Sequence, residues 1–571
     1  MRHCLLPRRG YSPLTKHARQ EASDFVEWLP GAGQSRADGF MVSVFFWTHG
    51  RESFGLRMMN IYQALQNHFP ADRSRVAIET REGKCWTYAE LDGQVGRLAN
   101  VLISLGLEPG ARVAAQTEKS PEALMLYLAT IRAGLVYLPL NTAYREAEVA
   151  YFLGDAQPGV VVCSSDRRGA VSALVAKLKI PHLLTLDADG TGTLIEEAGV
   201  QRESFDTVER QPNDLATLIY TSGTTGRSKG AMLTHGNLIS NAEVLHAFWQ
   251  WSAEDVLLHI LPIFHVHGLF VAAQGALMAG ARMLWLDKFD IEDVLGLLPR
   301  ATVFMGVPTH YVRLLSDARF GREVCSHIRL FISGSAPLLL ETFETFQHRS
   351  GHTILERYGM SETAMLTSNP CDPALGERIG GTVGLPLPGT SVRVVDEAGQ
   401  PCAPGDIGSI QVKGPNIFSG YWNMPEKTRE EFTGDGWFKT GDMGRWGGES
   451  NGKKIPDTYV SIVGRSKDLV ISGGYNVYPK EIEGVIDALP EVEESAVIGV
   501  PHPDFGEAVV AVVVPKNGAT PDPKAIQETL KGLIANYKVP KRVHILSELP
   551  RNAMGKVQKN ALRERFAKLT D

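Results

Sequence analysis

From about Met59 onward, short β-branched runs alternate with segments whose apolar residues recur at helical spacing, and this alternation narrows the possible folds most. Arg112-Val-Ala-Ala-Gln116, Gly159-Val-Val-Val-Cys163 and His182-Leu-Leu-Thr-Leu186 read as buried strands. Helical spacing runs through Thr87 to Leu105, Pro121 to Ala133 and Ala170 to Leu178. Strands reached only through intervening helices pair in parallel, so the expectation is an α/β fold with parallel sheets. The rhythm continues through Val256 to Leu261, Arg282 to Leu286, Ala301 to Met305 and Leu330 to Ser333, then turns β-type between Thr390 and Gly414. The stretch Gly447 to Pro456, rich in Gly, Lys and polar residues, reads as an exposed loop.

A smaller pattern follows Arg465-Ser-Lys-Asp468. Helix-like segments at Lys480 to Asp487 and Ile526 to Leu533 intersperse with strand-like Ser495 to Val500, Ala508 to Val514 and Arg542 to Leu546. This is an α+β module with enough chain for its own core, and 571 residues exceed what one core usually holds. The expected division is an extension over 1–57, a large α/β domain with a β-type subdomain over 58–466, and a small α+β domain over 467–571.

The net charge of -6 leaves no basic footprint for nucleic acid, so a polyanionic ligand would be small and locally cradled. Cys4, Cys85, Cys163, Cys325, Cys371 and Cys402 form neither a CxxC pair nor a zinc-ligand spacing, which fits a reducing compartment such as the cytoplasm. No apolar run has the roughly 18 residues a membrane span needs. Arg2, Arg8, Arg9, Lys16 and Arg19 precede the first acid, Glu21, a bias that reads equally as a mitochondrial transit peptide, a disordered extension or a misassigned start.

The segment Tyr220-Thr-Ser-Gly-Thr-Thr-Gly-Arg-Ser-Lys-Gly230 carries the sharpest chemical signal. Gly223 and Gly226 let backbone N–H groups turn toward phosphate oxygens, Thr221, Ser222, Thr224 and Thr225 add hydroxyls, and Lys229 adds a mobile charge. The spacing is not that of the common P-loop. In Glu356-Arg-Tyr-Gly-Met-Ser-Glu-Thr363, Tyr358 offers a face for a base and Thr363 a hydroxyl. Glu362 offers a carboxylate for Mg²⁺ held against phosphates. Read alone, that segment is also a strand-to-helix turn capped by Ser361.

With Thr440-Gly-Asp442, Gly464-Arg465, Lys467-Asp468 and Pro550-Arg-Asn-Ala-Met-Gly-Lys556, these motifs resemble, in order and spacing, the adenylate-forming superfamily of acyl-CoA synthetases, adenylation domains and firefly luciferase. The resemblance runs from about Met59 to Leu569. It implies ATP and CoA as co-substrates, Mg²⁺ at Glu362, and a mobile C-terminal domain with its hinge at Lys467. Asp442 and Arg465 would hold the ribose, while Ser335, Ala336, Pro337, Gly359 and Met360 would border the nucleotide. Lys556, Glu362 and Thr221 would serve the chemistry. Ser472, Gly473 and Gly474 would meet the pantetheine arm of CoA.

Within that superfamily Pro262-Ile-Phe-His-Val-His-Gly268 and Glu356-Arg357-Tyr358 are most similar to malonyl-CoA synthetases. Arg357 suits a dicarboxylate, because a second carboxylate that stays ionised in a pocket needs a fixed cation. The alternative for Arg357 is an ion pair with Glu356 or a surface role. His265, His267 and Ser335 are further candidates for the acid pocket, and a histidine on an apolar segment is often a core residue instead. Malonate, with methylmalonate secondary, is the expected acid. The rival readings are another short acid, an adenylation domain charging a carrier-protein thiol, and a nucleotide-binding pseudoenzyme.

Overall fold

The computed structural model describes residues 59–571 except 222–227, 451, 473–474, 503–505, 535, 553–554 and 568–571. The expected extension, its transit-peptide reading and Cys4 therefore lie outside the described residues, as do Ser222, Gly223, Thr224, Thr225, Gly226, Gly473 and Gly474.

The α/β expectation holds. A six-stranded sheet runs in the order His182–Thr185, Val160–Cys163, Arg112–Gln116, Val136–Pro139, Leu215–Thr221, Lys229–Thr234, parallel except for the last strand. A nine-stranded sheet has a parallel centre of Arg282–Trp285, Val256–His259, Val303–Gly306, Leu330–Ser333 and Leu355–Met360. Strands buried on both faces need no alternation, and Val160–Cys163, Val303–Gly306 and Leu330–Ser333 are accordingly near-continuous apolar runs, whereas Leu355–Met360 carries Glu356, Arg357 and Tyr358.

Local signals place the helices. Tyr88–Ser104 starts at a capping box, with Thr87 Oγ1 accepting from the Glu90 N–H and the Glu90 carboxylate accepting from the Thr87 N–H. Pro121–Arg132 is buried on all sides. Tyr127 of that helix meets Tyr137 of one sheet and Phe270 of the π-helical segment His267–Ala273. A helix without a wet face fits only between layers.

The β-type region is an antiparallel sheet of Ser391–Val395, Gly408–Lys413, Phe438–Ser450 and Lys453–Arg465. Here the expected loop over Gly447 to Pro456 is corrected. Gly448 pairs with Ile455 and Ser450 with Lys453, so the polar stretch is the far end of a long hairpin. Antiparallel arms can face water on both sides near their tip, which is why the composition resembled a loop.

A smaller C-terminal domain follows, with Val470–Ser472, Gly506–Pro515 and Val492–His502 antiparallel and Arg542–Ile545 added in parallel. It has its own cores. Val497, Val509, Ile482 and Leu530 pack on one sheet face, and Ile498, Val510, Leu562 and Phe566 on the other. Among the described residues no helix is long and apolar enough to cross a membrane.

At the edge of the nine-stranded sheet opposite the strands' carboxyl ends, Asp255 is buried. It accepts from Arg329 Nε at 2.7 Å and Nη2 at 2.8 Å, from Thr302 Oγ1 at 2.8 Å and from the Ser252 N–H at 2.9 Å. Burial pushes its carboxyl up, but these donors outweigh that and hold it below the usual range. Arg329 reaches solvent, so the loss falls mainly on the buried Thr302 hydroxyl and Ser252 N–H left without an acceptor, and Asp255→Ala is expected to lower stability by about 1–3 kcal/mol in urea unfolding. Asp255→Asn, which keeps two of the acceptor contacts, should cost less.

Candidate functional site

The carboxyl ends of the central strands of the nine-stranded sheet converge with the antiparallel sheet and the C-terminal domain, and most of the expected site residues gather there. Asp442 and Arg465 face each other across the hairpin, with Arg465 Nε donating to Asp442 Oδ1 at 3.1 Å. The Tyr358 hydroxyl donates to Asp442 Oδ2 at 2.6 Å, so one carboxylate fastens the end of the Leu355–Met360 strand to the neighbouring sheet. Burial and then Asp442 drive the Tyr358 phenol well above its ordinary range, which keeps it a donor. Each carboxylate oxygen retains a lone pair for a further donor such as a ribose hydroxyl.

The segment Glu356 to Thr363 is a strand and a tight reversal into the strand Ala364–Ser368, which corrects the strand-to-helix alternative. Thr363 donates its N–H to the Met360 carbonyl at 3.2 Å, and its hydroxyl accepts from the Met360 N–H at 3.3 Å. A Cβ on Gly359 would lie 1.9 Å from the Ala364 carbonyl oxygen, so only glycine closes this turn.

Glu362 is buried beyond the turn, and burial raises its carboxyl above the usual range while the Tyr421 hydroxyl, Lys229 and Arg465 pull it back. Tyr421 donates to Glu362 Oε1 at 3.0 Å and lies under the Lys229 ammonium, 4.4 Å from ring centroid to Nζ. Lys229 also meets Glu431 at 3.4 Å. Thr221 and Lys229 are paired residues at the neck of the hairpin that leads into 222–227. Tyr421 thus joins the hairpin lysine to the carboxylate. Sequence reasoning passed over it because a lone tyrosine 59 residues from its partner carries no spacing signal.

Lys556 comes from the C-terminal domain. It is open to solvent but surrounded by protein, and burial followed by Arg465 lowers its ammonium to about 8, against the pull of Asp442, Glu362 and Asp468. Lys467 beside it is lowered to about 8 by burial and then by Arg465, with Lys556 adding to the effect. Three cations therefore crowd one locus.

On the other side of the Leu355–Met360 strand lies a second group. Arg357 is 3% exposed, and its Nε and Nη2 have no hydrogen-bond partner among the described residues. Burial lowers the guanidinium to about 9, still a cation at neutrality. The expected alternative, pairing with Glu356, is not seen. Glu356 points away, accepts from the Leu338 N–H at 3.2 Å, and burial raises it to about 7. Successive residues of a strand face opposite sides, which separates the two. His267 Nδ1 lies 3.1 Å from Ser335 Oγ, its Nε2 has no partner, and burial and then Arg357 keep the ring neutral. His265 is held near 3 by burial, then Lys556, then Arg357, so it lies between the two groups. Ser335 takes a left-handed φ of 69°, Ala336 is half-buried and Pro337 is exposed. Ser472 is buried in the C-terminal sheet, and no hydrogen bond among the described residues links it to the Asp442 group.

The arrangement places a charged, partly wet locus able to meet phosphate beside a buried group in which, among the described residues, the Arg357 guanidinium has no carboxylate partner. Among the described residues no cluster of three or more His, Cys, Asp or Glu could hold a metal. Glu362 would therefore be a lone protein ligand, the mode Mg²⁺ adopts when phosphates and water supply the rest.

The model of the AMP-binding enzyme family matches residues 65–422, and that of the AMP-binding enzyme C-terminal domain matches 481–556. The mitochondrial malonate–CoA ligase ACSF3 of Homo sapiens is 36% identical over 86% of this chain and 90% of its own. The indoleacetate–CoA ligase of Aromatoleum aromaticum is 35% identical over 90% and 99%. The crystal structure of ATP-bound MatB from Rhodopseudomonas palustris is 53% identical over 90% of this chain and 99% of that one, with a TM-score of 0.86.

Only the ammonium form of Lys556 can neutralise phosphate, so with Lys556 as the group that meets ATP a rise in pH through about 8 would remove that form. Pyrophosphate release at subsaturating ATP should then fall along a limb near pH 8. Lys556→Arg should carry that limb far upward, whereas Lys467→Met, which removes one like charge, should move it up only slightly; a limb unmoved by Lys556→Arg would assign it elsewhere.

Proposed function

The chain belongs to the AMP-binding enzyme family, and we propose that within it the protein is a malonate–CoA ligase. As an adenylate-forming acid–CoA ligase it would convert ATP, malonate and CoA to malonyl-CoA, AMP and diphosphate through malonyl-adenylate. The observation that carries malonate is Arg357. Leaving a buried charge unpaired costs several kcal/mol, a large part of a domain's usual 5–15 kcal/mol of stability. Such a cation is most economically explained by an anion that arrives with the substrate. An indoleacetate or a fatty acid has no second carboxylate to offer it.

In this reading one malonate carboxylate pairs with Arg357 beside the neutral rings of His265 and His267 and the Ser335 hydroxyl. The other is turned toward the α-phosphorus of ATP. Attack brings two anions together and expels diphosphate, and Lys556 stabilises the charge that develops, with Arg465 beside it. Asp442 orients the ribose, Tyr358 borders the base with Gly359, Met360, Ala336 and Pro337, and Thr363, Thr221 and Lys229 attend the phosphates. Glu362 would hold Mg²⁺, which would supply charge neutralisation for the phosphates.

The second half-reaction is attack of the CoA thiol on the acyl carbon with AMP leaving, so no enzyme nucleophile is needed. A division near residue 466, with Lys467 as the hinge, would withdraw Lys556 and bring up Ser472, Gly473 and Gly474 for the pantetheine arm. Proline at the hinge fixes one φ, so Lys467→Pro should release diphosphate yet accumulate adenylate; normal thioester output would place the hinge elsewhere.

A pyrophosphate-release screen over malonate, methylmalonate, succinate, acetate and a long-chain acid, with and without CoA, tests the assignment. Malonate should lead, with soluble thioester formed only when CoA is present. A preference for a monocarboxylate, or transfer only to a carrier protein, would overturn it. Arg357→Ala should cut malonate kcat/KM by about thirtyfold to several-thousand-fold, the equivalent of 2–5 kcal/mol, while nucleotide binding persists.

A further inference from the structure

Arg357 reaches its chamber by an unusual route. The strands Leu330–Ser333 and Leu355–Met360 run parallel with Ser333 opposite Glu356, so the next residue of the first strand, Gly334, lies beside Arg357. The guanidinium does not stand up from its strand but lies across that neighbour. A Cβ built on Gly334 would fall 2.5 Å from Arg357 Cζ, 2.6 Å from Nη1 and 2.7 Å from Nε. No other atoms are among its three nearest, so the plane of the guanidinium rests directly on the glycine.

Conformation does not require glycine here. The φ of Gly334 lies outside the left-handed region, whereas Ser335, which does adopt it, is not glycine. What position 334 needs is the absence of a side chain. The three atoms nearest such a methyl all belong to the movable end of a long side chain, so the fold can absorb it by pushing the guanidinium away. The cost therefore falls on the geometry of Arg357 rather than on the core.

We infer that Gly334 is a positioning residue for acid selectivity, a slot whose emptiness sets the guanidinium of Arg357 where it can take the distal carboxylate of the substrate. This rests on the malonate reading above. A guanidinium recognises a carboxylate through two parallel N–H donors in a fixed plane, and a displacement of about 1 Å can cost on the order of a hundredfold. An acid without a second carboxylate makes no use of that plane and should be indifferent to the change.

The test is a double-mutant cycle read with two acids, malonate and its monomethyl ester, which keeps the reacting carboxylate and lacks the distal charge. Gly334→Ala should raise KM for malonate about 10- to 100-fold, with little change in kcat, in turnover of the monomethyl ester, in AMP affinity or in Tm. In an Arg357→Lys background, where no planar fork crosses position 334, Gly334→Ala should add less than a twofold effect on either acid. Unchanged malonate KM in Gly334→Ala would overturn the inference. So would an equal loss on both acids in both backgrounds, which would mark Gly334 as structural. A wild-type enzyme that does not prefer malonate to its monomethyl ester would instead remove the malonate reading, and this inference with it.

Discussion

An uncompensated positive charge inside a protein has to be held against its own tendency to reach water. Arg357 is held by being the middle of a strand, pinned between Leu330–Ser333 on one side and Ala364–Ser368 on the other, with its plane resting on Gly334. Glu356, the one carboxylate close to it in sequence, is turned to the opposite face and is itself drawn toward its neutral form. The histidines that line the same chamber stay uncharged for the same reason. Among the described residues the sheet thus presents Arg357 without a carboxylate that would quench its charge.

The Asp442 side is organised in the opposite way. Asp442 accepts from donors within the protein, Tyr358 on one oxygen and Arg465 on the other, and this ties the last parallel strand to the antiparallel sheet. Tyr421 does the equivalent for Glu362 and Lys229, joining a carboxylate and an ammonium that never touch. These polar links lie close to backbone elements fixed by long β-ladders. Preorganisation of this kind is what electrostatic stabilisation of a phosphoryl transition state requires.

The parallel core was legible because its strands are buried on both faces and its helices carry caps and periodicity; Arg112–Gln116 and Leu330–Ser333 begin and end where the residues imply. Tyr358, Glu362 and Thr363 stood out because their types fit phosphate chemistry at short spacing, whereas Asp442, Arg465 and Lys556 joined them only through the resemblance to the adenylate-forming superfamily; the structure brings these groups to one locus. The hairpin end at Gly447 to Pro456 was not, since two solvated antiparallel arms have a loop's composition. Tyr421 and Gly334 were hidden for a different reason. Each acts through a residue distant in sequence, and a glycine that matters only for the room it leaves looks the same in a sequence as one that turns a chain.

The crowding of Arg465, Lys467 and Lys556 has a kinetic meaning. Asp442, Glu362 and Asp468 offset part of the repulsion among these like charges, and nucleotide would act as the further adhesive that holds the C-terminal domain in this orientation. When diphosphate departs, most of that adhesive leaves with it, and the repulsion is restored just when the lysine is no longer needed. The enzyme would then need no separate signal to move on: the leaving group of the first step releases the brake on the second.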